Sequence, residues 1–316
     1  MRPEFPHRPV MVDEVVALFA PVPPGVVVDA TVGGAGHAVA LLDAHPHLEL
    51  LAIDRDPSAV AAARGTLAPY GRRASVVRAR FSTLDEVLAA DGGARAVTGV
   101  LLDLGVSSPQ LDRAERGFSY RDAGPLDMRM DPDQGVSAAD LVNTMAQDDL
   151  ARLFAAHGEA RFARRIARAV VAARPLSTTA QLADVVSSAI PAAARRRGHP
   201  ARRVFQALRV TVNDELEELS SALDAAVEVL VPGGRCVAIA YHSGEDRLVK
   251  AAFARAVTGG CVCPPGLPCT CGAEPLGRLL FRGARRPTPA EVAANPRAES
   301  ARLRAFERLA LVEGRS

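Results

Sequence analysis

Short, largely continuous apolar runs recur through the first hundred residues: GVVVDA at 25–30, LELLAID at 48–54, ASVVRA at 74–79 and GVLLDLG at 99–105. None shows the strict alternation of a half-solvated strand, so each reads as a strand buried on both faces. Helical stretches separate them. One is expected from Gly36 to Ala44, a second in PSAVAAARGTLA with Pro57 in its first turn, and a third in STLDEVLAA behind Ser82 as N-cap. Strands and helices in alternation predict a doubly wound α/β domain with a parallel sheet. The rhythm then stops. The next such strand, GGRCVAIAYHS, starts at Gly233, 130 residues beyond Asp103, far more than a βα connection uses.

The interposed sequence has helical periodicity. In RFARRIARAVVAAR, Arg161, Arg164, Arg165 and Arg168 share one face, while Phe162, Ile166, Ala169, Val170 and Ala173 occupy the other. From Val204 to Leu230 an apolar stripe through Leu208, Val212, Leu216, Leu219 and Leu223 predicts one long helix leading back to the sheet. The expected organisation is a discontinuous sheet domain, 1–108 and 214–316, carrying an inserted all-helical domain at 109–213.

Length agrees with two domains: 316 residues, 48% hydrophobic and 23% charged, a globular composition. No apolar run is long enough for a membrane span, and the first residues lack the apolar segment of a secretory signal. A cytoplasmic protein is expected. All but one of the 38 basic residues are arginine, the exception being Lys250, which codon usage in a GC-rich genome explains. Their distribution is more telling. Between Ala151 and Val210, twelve arginines face only Glu159 and Asp184, a surplus of ten in a chain whose net charge is +2. The remainder therefore carries a deficit of eight, and codon bias cannot empty one segment of acids. A polyanion-binding insert on an acidic body is the implied arrangement.

The ligand of the sheet domain is harder to read. DATVGGAGHA, 29–38, follows the first strand, where glycines let a ligand approach the backbone and the next helix offers unpaired N–H groups. Gly34 and Gly36 supply two glycines of a dinucleotide fingerprint, but Val39 stands where the third belongs. Asp54, 21 residues after Gly33, suits a ribose of either NAD or S-adenosylmethionine, and Arg55 beside it suits the phosphate of NADP. In LLDLGVSSPQLD, Asp103 ends the fourth strand and Ser107, Ser108, Pro109 and Gln110 follow. Enzymes that methylate amino groups need polar oxygens at such a position, although a buried helix-capping aspartate fits the same pattern.

Longer strings carry a specific resemblance: HRPVMVDEVV, DATVGGAGH, AIDRDP, RFSTLDE, LLDLGVSSPQLDRAERGFSYRDAGPLDMRMDP, RFARRIARAVV, HPARRVFQALRVTVNDELEEL, GGRCVAIAYHSGEDRLVK and NPRAESARLR. Over nearly its whole length the chain resembles the bacterial ribosomal RNA small subunit methyltransferase H family. The resemblance implies a class I, Rossmann-like S-adenosylmethionine-dependent methyltransferase acting on N4 of a cytidine in the decoding region of 16S rRNA. It implies that Ala35, Gly36 and His37 line the methionine end of the cofactor; Gly33 and Gly34 of the same turn are further cofactor-binding candidates. Asp54 then holds the ribose, Phe81 packs near the adenine, and Asp103 with Gln110 completes the pocket. The partner is the small ribosomal subunit, with neither DNA nor a membrane. Three departures stand out. Ala35 replaces a usual glycine, tolerable if φ there stays below zero; AYHSGEDR replaces SFHSLEDR; and Arg202 replaces a usual threonine.

Cytosine N4 has its lone pair delocalised into the ring, so alignment must supply much of the acceleration. Asp103, Ser107 and Ser108 are the first candidates to contact the amine, with His242, Glu245 and Asp246 behind them. His242 serves equally as a structural residue or a general base. The charged turn Asp127, Arg129 and Asp131 is a further candidate. Cys236 is a core residue. RNA backbone would lie on Arg161, Arg164, Arg165 and Arg168, and on Arg195, Arg196, Arg197, Arg202 and Arg203, with the target base unstacked. Finally, Cys261, Cys263, Cys269 and Cys271 form C-x-C-x5-C-x-C. Four thiolates suit a structural zinc ion, although the spacing within each pair is shorter than usual, and reduced free thiols are the alternative. An NAD(P)-dependent oxidoreductase, a non-catalytic RNA-binding protein and a methyltransferase of another RNA or of protein are the rival readings.

Overall fold

Each apolar run of the first hundred residues becomes a strand: β1 (Gly25–Asp29), β2 (Leu48–Asp54), β3 (Ala74–Arg78) and β4 (Val97–Asp103). The computed structural model describes residues 9–90, 95–192, 194, 199–264 and 269–310. Helix α1 (Val12–Phe19) precedes β1, and α2 (Gly36–Ala44), α3 (Pro57–Leu67) and α4 (Leu84–Ala90) follow β1, β2 and β3. The carboxylate of Asp56 caps α3 by accepting Ser58 N–H at 2.9 Å, ahead of Pro57. Ser82 does not cap α4 as expected. Phe81–Thr83 form a single 3-10 turn in which Thr83 donates its N–H and hydroxyl to Arg80 O, so the α-helix starts at Leu84.

The chain divides into two units, Met1–Gly105 with Leu216–Ser316, and Val106–Glu215. The second is helical: α5 (Ser108–Asp112), α6 (Ala138–Thr144), α7 (Gln147–Ala156), α8 (Ala163–Ala172), α9 (Thr179–Ala189) and α10 (Arg202–Val212). Its core gathers Phe154, Ile166, Val170, Leu182, Val186, Val204 and Leu208. Capping boxes start three of the helices, Ser107 with Gln110 at α5, Ser137 with Asp140 at α6 and Thr178 with Gln181 at α9. The single long helix predicted from Val204 is two helices. Asp214 adopts φ +51°, and Asn213 spends its amide on a distant loop, accepting Met130 N–H at 2.7 Å and donating to Met128 O at 2.8 Å. Arg209 spans the break with two 2.8 Å bonds to Glu215, the first residue of α11 (Glu215–Glu228).

In the first unit the returning chain adds β5 (Leu230–Ala240), α12 (Ser243–Thr258), β6 (Gly277–Leu279), α13 (Pro289–Ala294) and β7 (Arg302–Arg308). The sheet order is β3-β2-β1-β4-β5-β7-β6. β1 to β5 are mutually parallel, while β7 runs antiparallel to β5 and β6 antiparallel to β7. One apolar layer, with Leu41, Leu42, Leu50 and Phe19, covers one face; another, with Ile53, Leu223, Phe253 and Phe306, covers the other. Burial on both faces is why the strand sequences are continuous rather than alternating. Among the described residues no helix is long and apolar enough to cross a membrane.

Candidate active site

β1 and β4 are sheet neighbours although β2 and β3 separate them in sequence. Strand order reverses between them, and such a reversal opens a crevice at the carboxyl ends of the strands. Asp29, Asp54 and Asp103 close β1, β2 and β4 there. Thr31 ties the turn after β1 to β4 by accepting Asp103 N–H on its hydroxyl oxygen at 2.7 Å. Gly33 N–H donates to Asp54 Oδ2 at 3.0 Å, and Asp56 N–H to Asp54 Oδ1 at 2.9 Å.

The Asp103 carboxylate is held by one side-chain donor and lies beside an imidazole. The Tyr241 hydroxyl donates to Oδ1 at 2.8 Å, and His37 Nδ1 lies 3.5 Å from Oδ2. His37 Nε2 is 2.9 Å from Val10 O. A carbonyl only accepts, so Nε2 carries a proton and the ring's orientation is fixed. Tyr241 is the replacement for phenylalanine noted in AYHSGEDR, and its hydroxyl is what reaches the carboxylate. Burial, and then the Asp103 charge, raise the phenol far above its ordinary value, so it stays a donor.

Three carboxylates in one crevice make it electronegative. Burial first, then repulsion from Asp103 and Asp54, pushes Asp29 up to about 7. Asp54 is also raised, chiefly by burial, against the N–H groups of Asp56 and Gly33. This charge pattern tests the ligand. S-adenosylmethionine brings a sulfonium and an ammonium group, which these carboxylates attract; a dinucleotide brings a pyrophosphate, which they repel. Arg55, the residue that suggested NADP, is engaged elsewhere: with Arg80 it binds Glu218 Oε1, at 3.2 and 2.6 Å.

The glycine turn departs from expectation at Ala35. Ala35 sits at φ +66°, not below zero, and is fully buried. The left-handed conformation costs an alanine about 1–2 kcal/mol. Its buried methyl returns about 0.8 kcal/mol, and alanine's stiffer unfolded chain about 0.4–1 kcal/mol. These nearly cancel. Ala35→Gly is therefore expected to change unfolding free energy by less than about 1 kcal/mol, checked by urea denaturation; a larger change in either direction refutes the balance. At Gly36 a Cβ would come within 2.4 Å of Pro9 Cγ, so packing against the N-terminal segment requires that glycine. Gly34 has open space beside it. Phe81 is half-buried just beyond β3, against the apolar layer containing Ile53.

The other candidates from β5 have structural tasks. His242 is the N-cap of α12: Nδ1 accepts Gly244 N–H at 3.1 Å and Glu245 N–H at 3.3 Å, and Nε2 lies 3.1 Å from Glu245 Oε1. The Nδ1 lone pair is thus committed to the helix N-terminus and the proton sits on Nε2. Glu245 Oε2 in turn accepts the N–H groups of Tyr241 and His242. Asp246 binds Arg302 and Arg304 of β7, and these guanidiniums outweigh its burial to hold its carboxyl below the usual range. Cys236 is buried in β5 with its thiol raised to about 12 by burial, as a core residue should be.

The remaining candidates belong to the second unit. Ser107 precedes α5, and Gln110 Oε1 accepts Ser107 N–H at 2.9 Å; Ser108 and Gln110 are buried. Asp127 and Arg129 form a bidentate pair at 2.9 and 2.7 Å, which overcomes burial to lower the Asp127 pKa. Arg116 donates to the carbonyls of Arg129 and Met130, so this charged turn is locked rather than solvated. On α8, Arg164, Arg165 and Arg168 are exposed, as is the preceding Arg161, while Ala163, Ile166, Ala167 and Val170 face inward. Arg202 and Arg203 are exposed at the start of α10, with Arg203 3.4 Å from Glu159. Arg195, Arg196 and Arg197 lie outside the described residues.

Reading the sequence alone missed Asp29, Thr31 and the hydroxyl of Tyr241. Asp29 carried a signal, an acid closing the strand before the glycine turn; Thr31 and Tyr241 act through contacts that only the sheet creates.

A parallel sheet with an antiparallel seventh strand between β5 and β6, a glycine turn after β1 and acids at the ends of β1, β2 and β4 define a class I S-adenosylmethionine-dependent methyltransferase. Sequence comparison makes this specific. The profile of the MraW methylase family matches residues 4–309, and the chain belongs to that family. It is 53% identical over 310 residues to the ribosomal RNA small subunit methyltransferase H of Thermobifida fusca (strain YX), spanning 96% of this chain and 93% of the relative. Identity to the protein of that name in Mycobacterium sp. (strain KMS) is 51% over 314 residues, 96% of this chain and 84% of the relative.

Proposed function

We propose that the chain methylates N4 of a specific cytidine in the decoding region of 16S rRNA, within the cytoplasmic small ribosomal subunit. The relatives' shared name supports the substrate class, and the observation that carries the chemistry is the oriented Asp103 carboxylate. When bound, S-adenosylmethionine supplies an electrophilic methyl group on a sulfonium. Asp103 accepts an N–H of the cytosine amine, drawing its lone pair out of conjugation and aligning it. The Tyr241 hydroxyl and the Thr31 bond to Asp103 N–H keep that carboxylate in place. Asp54 holds the ribose hydroxyls and Phe81 packs near the adenine, while the backbone at 33–37 flanks the methionine moiety. No cysteine nucleophile is needed, because the exocyclic amine attacks the methyl carbon directly: the N–C bond forms as the C–S bond breaks, with the thioether as leaving group, and the surplus amine proton passes to the Asp103 carboxylate.

The test uses labelled S-adenosylmethionine with small ribosomal subunits lacking the modification, followed by digestion and nucleoside mass spectrometry. Label is expected in N4-methylcytidine. Label in 5-methylcytidine, in another RNA or in protein, or none at all, refutes the proposal.

The exposed arginines of α8 and α10 serve as the RNA-backbone surface, matching the surplus of positive charge in this segment. Replacing Arg164 and Arg168 with alanine removes two such contacts. The slope of log affinity against log salt is expected to fall by about 1.4–1.8, with S-adenosylmethionine affinity unchanged. Filter binding across a salt titration checks it; an unaltered slope removes α8 from the interface.

A further inference from the structure

The connection from α12 to β6 contains the four cysteines that methyl transfer does not use. It begins at Gly259, in the left-handed conformation that ends α12, and Cys261 N–H donates to Thr258 O at 3.1 Å. Cys261 and Cys263 then meet Cys269 and Cys271. The Sγ–Sγ distances are 3.5 Å for Cys261–Cys269, 3.5 Å for Cys269–Cys271 and 3.6 Å for Cys271–Cys261, and all four sulfurs lie within 4.8 Å of one another.

These separations discriminate between kinds of thiol chemistry. A disulfide brings two sulfurs to about 2.05 Å, and no pair here approaches that. A tetrahedral ion with metal–sulfur bonds of about 2.3 Å requires sulfur–sulfur edges of about 3.8 Å. The three edges among Cys261, Cys269 and Cys271 lie about 0.2–0.3 Å below that value, and Cys263 Sγ lies within 4.8 Å of each, room for a single ion. An iron–sulfur cluster places its own iron and sulfide between the cysteines and needs them farther apart.

The surroundings fit the same reading. The segment is not held by an apolar core: Cys269 and Cys271 are exposed, and Val262 is 86% exposed. Four thiols converge there without packing to drive them together. Thr270 N–H points at Cys263 Sγ at 3.4 Å, the kind of backbone donor that supports thiolate ligands. The short C-x-C spacing is accommodated because the two pairs fold against each other instead of each forming a separate knuckle.

We propose that Cys261, Cys263, Cys269 and Cys271 bind one zinc ion as thiolates, closing the α12–β6 connection into a structural knuckle. Four protein ligands leave no open coordination position, so the ion braces the loop and takes no part in methyl transfer. The site stands independently of the RNA substrate proposed above.

The test is elemental analysis of full-length protein purified without chelator, expected to give one zinc per chain. A mercurial reagent should release that zinc in step with thiol capture, measured with a metallochromic dye. Cobalt, added to protein stripped of metal, should give the strong visible bands of tetrahedral tetrathiolate coordination. The double variant Cys269→Ser/Cys271→Ser should fall to background zinc while keeping its far-UV circular dichroism and S-adenosylmethionine affinity. Freely reactive thiols with no bound metal, iron in place of zinc, or stoichiometric zinc in a folded double variant would overturn the assignment.

Discussion

Asp103→Asn is expected to lower the rate of methyl transfer by roughly two to four orders of magnitude while leaving the fold intact. The geometry makes this substitution a clean removal of charge. An asparagine oxygen can still accept the Tyr241 hydroxyl, which lies 2.8 Å from Oδ1. Its amide N–H can donate to His37 Nδ1, the side of the ring facing Oδ2 at 3.5 Å, because His37 carries its proton on Nε2 toward Val10 O. The bond from residue 103 N–H to Thr31 is a backbone bond and survives. What disappears is the charge that accepts and polarises the amine N–H. The measurement is single-turnover methylation of the ribosomal substrate beside calorimetric binding of S-adenosylmethionine and a melting curve. A fall in rate with cofactor affinity within a few-fold of wild type supports the role given to Asp103. If cofactor affinity falls by the same factor and the rate at saturation is retained, Asp103 binds cofactor only.

The strands and helices around this residue were legible in the sequence because their signals are local. Continuous apolar runs at 26–28, 50–53 and 100–102 could only be strands covered on both faces. The features that were not legible depend on partners far along the chain. Tyr241 and Asp103 are 138 positions apart, and the break between α10 and α11 depends on Asn213 reaching Met128 and Met130. Asn213 and Asp214 both favour caps over helix interiors, a weak local signal, but the apolar stripe continues across them and periodicity carried the predicted helix straight through. His242 is an intermediate case. Its spacing to Glu245 is that of a capping box, with an imidazole nitrogen in place of a hydroxyl, and a general-base reading competed with that cap. Ala35 differs again. The alanine was expected to be tolerated if φ stayed below zero; the turn is left-handed, and the methyl is absorbed into the core.

Asp29 gives the largest expected effect on stability, and its sign follows from proton binding. Its carboxyl rises from an ordinary 3.8 to about 7 in the folded chain, through burial first and then through Asp103 and Asp54. Between these values the folded protein keeps a proton that the unfolded chain releases. Stability therefore decreases as pH increases. The contribution is fully present below about pH 4, declines by about 1.4 kcal/mol per pH unit, and is lost once pH passes about 7, in all about 4 kcal/mol. Asp29→Asn mimics the protonated carboxyl, and its oxygen can still accept Thr31 N–H, now at 3.2 Å. The variant should match the wild type near pH 4 and exceed it increasingly up to pH 7, after which the gap stays constant. Urea denaturation of both proteins at unit pH steps measures that gap, and taking the difference cancels every other carboxylate that titrates alike in the two. A gap independent of pH would show that Asp29 is ionised throughout. The crevice would then hold the whole Asp29 charge across the range, and the attraction argued for a cationic cofactor would be strengthened most at the acidic end.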